Sequence, residues 1–194
     1  MRKVNPQTDR LTTSAGNGSE APYVGNHGPA THASLGACAV AVDHSGNLVI
    51  GDPASNRIRV VAASTATFYG LAMKAGHIYA VAGDGKRKFS GDGGPAIQAG
   101  LDPQWVAVDA AGNVLIADSN NNRIRVVAAS SGTFYGQAMT AGDVYTVAGS
   151  NRQGFSGMGG PGTKARLYLP QAVAGEPSGD LLIPSDGRIL EVSG

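Results

Sequence analysis

An all-β fold, assembled from short strands in repeated units, is what this 194-residue sequence predicts, and three observations carry it. Glycine is in excess, at 29 residues beside 10 prolines and with no triplet period, which is the signature of many tight turns. Val- and Ile-rich runs such as "WVAVD", "NVLIAD", "RIRVV" and "VYTVAG" are short and bounded by turn residues, and no segment has convincing helical periodicity. Finally, the chain writes one line twice: residues 51–76 and 117–142 are identical at eighteen of twenty-six positions.

The repeat length is 66 residues, since Asp43 matches Asp109, Arg57 matches Arg123, Phe68 matches Phe134 and Gly83 matches Gly149. "FSGDGGP" at 89–95 recurs as "FSGMGGP" at 155–161, with an eroded forerunner, "YVGNHGP", at 23–29. A third, shortened copy follows, giving copies near 37–83, 103–149 and 170–192. Taken in order within the second copy, "WVAVD" and "NVLIAD" are joined by "DAAGN" as a tight hairpin, with Gly112 suited to positive φ. "DSNNNR" leads to "RIRVV", with Asn122, like Asn56 before it, suited to left-handed turn geometry. A longer excursion, "AASSGTFYGQAMTAGD", precedes the fourth strand. Four antiparallel strands followed by a Gly/Pro crossover describe a propeller blade.

"VAVDAAGNVLIADSNNNRIRVV" and "VAVDHSGNLVIGDPASNRIRVV" resemble NHL repeats, and the "FSGDGGPA" crossover is similar to those of long bacterial NHL-repeat proteins. The resemblance implies an NHL-like β-propeller or partial propeller of about three four-stranded blades. It implies no single activity, because the family includes protein-binding, RNA-binding and enzymatic members.

Residues 1–22 read as an N-terminal segment and 23–194 as blades. Closed propellers have about four to eight blades, so three need completing. Residues 10–16 fall where a fourth strand would end, while the last copy stops after its third strand. Two readings follow: the chain is part of a longer one, or it forms a homodimer closing a six-bladed ring, each copy donating its first strand.

A formal net charge of +1 supplies no global field for nucleic acid or anionic membrane. Cys38 is the only cysteine, so no intramolecular disulfide forms. The basic start lacks the apolar stretch of a signal peptide, and no run approaches the ~18 apolar residues of a membrane helix. A soluble protein is expected, with no membrane partner and with an extracellular location open if its start is truncated.

Candidate chemistry divides into what repeats and what does not. Asp52 with Arg57, and Asp118 with Arg123, flank equivalent loops; they read as structural turn pairs, the carboxylate capping loop amides and the guanidinium pairing with it. Phe68-Tyr69 and Phe134-Tyr135 read as anchors of the long excursion, and "GDGG" as a turn. The four histidines are scattered, so no catalytic residue, metal site or cofactor is assigned. Specificity should lie where the copies disagree. The first strand opens with Cys38-Ala39, Gln104-Trp105 and Gln171-Ala172 in turn, and the crossover Lys86-Arg87-Lys88 is answered only by Arg152. Lys86, Arg87, Lys88, Gln104, Trp105 and Arg152 therefore form the candidate binding set, for an unidentified protein or glycan. A propeller lyase or hydrolase, and RNA binding through the local basic face, are the alternative readings.

Overall fold

A computed structural model describes residues 1–20 and 23–193; the boundary drawn after residue 22, and residue 194, lie outside the described residues. Its strands are β1 (Arg2–Asn5), β2 (Arg10–Thr13), β3 (Ala39–Val42), β4 (Leu48–Asp52), β5 (Arg57–Val61), β6 (Ala66–Phe68), β7 (Leu71–Met73), β8 (Ile78–Ala82), β9 (Gly94–Pro95), β10 (Pro103–Val108), β11 (Val114–Asp118), β12 (Arg123–Val127), β13 (Gly132–Phe134), β14 (Gln137–Met139), β15 (Asp143–Gly149), β16 (Ala174–Gly175), β17 (Leu181–Ser185) and β18 (Arg188–Val192). The fold is all-β, as its sequence indicates. The first blade is the sheet β3-β4-β5-β8, and the second is β10-β11-β12-β15 with β9 added at its outer edge. The third is β16-β17-β18.

Burial explains the unbroken apolar runs. Val114 and Ile116 of β11 join Val49, Ile58 and Val60 in the core between the first two blades. Leu115 and Ala117 of the same strand join Val173, Leu181 and Ile183 in the core against the third blade. A strand covered on both faces has no reason to alternate. No helix among the described residues is long and apolar enough to cross a membrane.

The long excursion contains a structure that the sequence did not announce. In each complete blade it folds into a small hairpin, β6-β7 and β13-β14, turned by a Tyr-Gly pair with both residues at positive φ: Tyr69 and Gly70 at 51° and 76°, Tyr135 and Gly136 at 51° and 68°. The aromatic pair does anchor it, through one phenol. Tyr69 donates to Asp43 Oδ2 at 2.9 Å, and Tyr135 to Asp109 Oδ2 at 2.7 Å. Asp43 also accepts the amides of Ser45 and Asn47 and the Asn47 side chain. Burial first, then the adjacent carboxylate, pushes both phenols well above the usual tyrosine range. Tyr69→Phe removes one bond to a buried, charged acceptor and should cost about 1.5–3 kcal/mol. Urea denaturation with an unchanged m-value checks it.

At the N-terminus, Gly16 and Asn17 donate to Ala30 and Ala33, as Gly83 and Asp84 do to Ala96 and Ala99. The 10–16 segment thus ends where a fourth strand ends. Its partner is β1 in an exposed hairpin, a strand that the sequence reading did not foresee.

Candidate functional site

One network recurs with the repeat. The crossover aromatic lies over the arginines of the blade that follows: Tyr23 sits 4.1 Å from the Arg57 guanidinium and 4.8 Å from that of Arg59, and Phe89 lies 3.7 Å from Arg123 and 5.0 Å from Arg125. Beneath them, Arg59 donates to Ser34 and Val24 carbonyls, and Arg125 to those of Gly100 and Ser90, tying crossover to blade.

Here the expected turn pairs need correcting. Asp52 and Arg57 do face each other across the hairpin, as do Asp118 and Arg123. Their guanidiniums go elsewhere: Arg57 to the carbonyls of Ser55 and Asp84, Arg123 to that of Asn121. The carboxylates instead lie 3.7 Å from Arg59 and 3.9 Å from Arg125, two residues further on. A register shift between Ile58 and Arg59, repeated between Ile124 and Arg125, falls at this point of the ladder. Asp52 and Asp118 do take donors from their own loops, the Ser55 hydroxyl and the Asn121 side-chain amide, and each also accepts a backbone amide from the run into the first strand, Gly36 and Asp102 respectively. Nor is "GDGG" only a turn, because Asp92 takes bonds from Arg125 and Thr146.

A second network belongs to the second blade alone. Asp102, 1% exposed, accepts Arg87 Nε at 2.8 Å, Gln104 Nε2 at 3.0 Å and the Asn120 side-chain amide. Burial alone would raise this carboxyl, but the bonds from Arg87, Asn120 and Gln104 hold it below the usual range. Sixty-six residues earlier, Asp102 and Asn120 are Gly36 and Ala54, so the scaffold does not require the cluster. Trp105, the next residue after Gln104, is 41% exposed on the innermost strand. Cys38 of the neighbouring inner strand donates its thiol to the Gln104 carbonyl at 2.9 Å, and burial raises that thiol.

The predicted set is therefore partly assembled. Arg87 and Gln104 meet on Asp102, with Trp105 adjoining. Lys86 is paired with Asp84 at 3.0 Å, while Lys88 has no ion pair among the described residues. Arg152 is exposed in the following crossover, and no hydrogen bond or ion pair joins it to the cluster. Asp102 and Asn120 were missed, though their replacement of Gly36 and Ala54 is a visible departure between copies. No group of three or more His, Cys, Asp or Glu side chains suited to a metal occurs among the described residues.

Stacked four-stranded sheets joined by outer-edge crossovers define a repeat protein of the β-propeller class. Residues 101–127, the heart of the second blade, match the NHL repeat, and the chain carries that repeat there. No curated protein matches the sequence. Among solved structures, a protein of unknown function from Bacteroides thetaiotaomicron VPI-5482 is similar at 17% identity and TM-score 0.67, over 98% of this chain and 40% of its own. An auxiliary nutrient binding protein from the same organism is similar at 18% and 0.59, over 99% and 43%. A streptogramin B lyase aligns at 12% and 0.48, over 81% and 37%. What the two Bacteroides likenesses show is the fold, and this chain spans about two fifths of the length of all three structures.

Proposed function

We propose that this chain is a binding module, and that it takes a glycan at the inner end of the second blade. The observation that carries the reading is Trp105, an exposed ring one residue along β10 from Gln104, whose side chain joins a polar cluster absent from the first copy of the same scaffold. A flat indole packs against the C–H face of a sugar ring while amide and guanidinium groups meet its hydroxyls, and tryptophan suits a site with one apolar and one wet side. A fold shared with an auxiliary nutrient binding protein is consistent with such a role. The RNA reading finds less support, because Lys86 and Arg87 are each neutralised by a carboxylate of this chain.

Trp105 is the only tryptophan, so its fluorescence reports the site directly. Titration with a panel of oligosaccharides should shift the emission for at least one of them. Trp105→Ala should then lower calorimetric affinity for that sugar by about tenfold or more, with circular dichroism unchanged. A panel without any binder, or an alanine variant that binds as the parent does, overturns the reading.

A further inference from the structure

We infer that the ligand at this site carries a carboxylate, and that Asp102 serves to pin Arg87 for reading it: the site fits an acidic, uronate-bearing glycan. This rests on the proposal that Trp105 marks a glycan site, and it adds the chemistry of the group read beside the ring.

Arg87 is 63% exposed, yet one of its nitrogens is bonded to a carboxylate that is 1% exposed. The bond uses Nε and leaves both terminal nitrogens without a partner among the described residues. Those are the donors that an incoming carboxylate engages in parallel. Holding the guanidinium beforehand lowers the ordering cost of binding. Asp102 is itself held from three sides, by Arg87, Gln104 and Asn120, and its backbone amide is held by Asp118. The pin thus sits immediately before β10, and Gly100 lets the two ends of the crossover approach closely. A Cβ at Gly100 would lie 2.0 Å from the Lys88 carbonyl.

Charge bookkeeping sets the valence. Lys86 cancels Asp84 and Arg87 cancels Asp102, which leaves Lys88 as the surplus cation of the crossover. One surplus charge suits a single carboxylate rather than a polyanion. Trp105 is three residues along the strand from Asp102, within about 10 Å, roughly the span of a disaccharide. An acidic peptide offers the carboxylate too, but polar side chains around one bare ring match hydroxyls better than they match a peptide backbone.

The test compares an α-1,4-linked trigalacturonate with the neutral trigalactose of the same linkage, read by Trp105 fluorescence and calorimetry on the whole chain. The acidic sugar should bind about tenfold or more tightly than the neutral one. Arg87→Gln and Arg87→Lys should both remove that preference, since lysine keeps the charge but not the pinned fork. Asp102→Asn should weaken binding of the acidic sugar more than that of the neutral one, a selective loss that a merely structural role would not produce. Equal affinity for the two sugars, both lost in Trp105→Ala, overturns the carboxylate inference and leaves the glycan site standing. An Arg87→Lys variant that keeps the preference overturns the pinned-fork geometry. Binding of a poly-Glu peptide but of neither sugar overturns the glycan reading itself.

Discussion

Arg125→Leu alone should cost about 3–5 kcal/mol, and adding Asp118→Ser to the same chain should return most of it. Asp118 and Arg125 are both 0% exposed, and removing one partner strands the other's charge in the core. The third copy makes the exchange on both sides at once. Ser185 stands where Asp118 stands and Leu190 where Arg125 does, with Leu190 buried at 7% exposure. Ser185 keeps the capping role, accepting the Tyr168 amide at 3.0 Å as Asp118 accepts that of Asp102 at 2.7 Å. The crossover changes in step. Asp92, which bonds Arg125, becomes Met158, which is 55% exposed. Burial raises the Asp118 carboxyl and lowers the Arg125 guanidinium, so the pair is held against a desolvation cost that the Ser/Leu version never meets.

The sign of the pH effect separates this account from simple cavity formation. An acid whose folded pKa is raised binds protons in the native state where the unfolded chain, near its ordinary value of 3.8, does not. Its burdensome charge is therefore relieved as pH falls through the raised value. Arg125→Leu should become more stable relative to the parent between neutral pH and the ordinary carboxylate range. The double variant should show no such gain. Urea titrations at several pH values, closed as a double-mutant cycle, measure both effects. A double variant as unstable as Arg125→Leu itself would sink the idea.

Much of this fold was legible because its demands recur. The 66-residue period exposes strands, hairpins and crossovers together, and Asn56 and Asn122 do adopt the left-handed turn, at φ of 52° and 54°. What escaped the sequence was choice between like residues. Arg57 and Arg59 are both candidates for Asp52 and both lie against the Tyr23 ring, yet only Arg59 comes within ion-pair range of the carboxylate, a choice that residue type does not show. Tyr23, Phe89 and Phe155 were visible at matching places in the crossovers, but their stacking on arginines of the following blade is a long-range contact. For the site, Arg87, Gln104 and Trp105 were found as departures between copies. Asp102 escaped because its burial, and its bond from Arg87 fifteen residues earlier, are tertiary features that residue type does not show.

Gly149→Ala should cost about 3–4 kcal/mol, whereas Gly136→Ala, thirteen residues earlier, should cost only about 1–2. Both glycines have positive φ, 87° and 68°, so the backbone penalty for a Cβ is similar in kind. Space separates them. Around Gly136 a Cβ would meet nothing within 4 Å, but at Gly149 it would lie 2.1 Å from the Asn122 carbonyl and 2.9 Å from Arg123 Cα. That carbonyl is fixed, because Asn122 holds the left-handed turn opening β12, and β12 cannot retreat without opening the core it shares with the third blade. The first blade supplies a matched pair. Gly70 is open, while a Cβ at Gly83 would lie 2.2 Å from the Asn56 carbonyl. Thermal unfolding of the four alanine variants should therefore sort them by crowding rather than by blade, with Gly83 and Gly149 far below Gly70 and Gly136. Four equal shifts would mean that backbone conformation alone sets the cost. A grouping by blade would mean that the two copies are not held together by the same turn-to-strand contact.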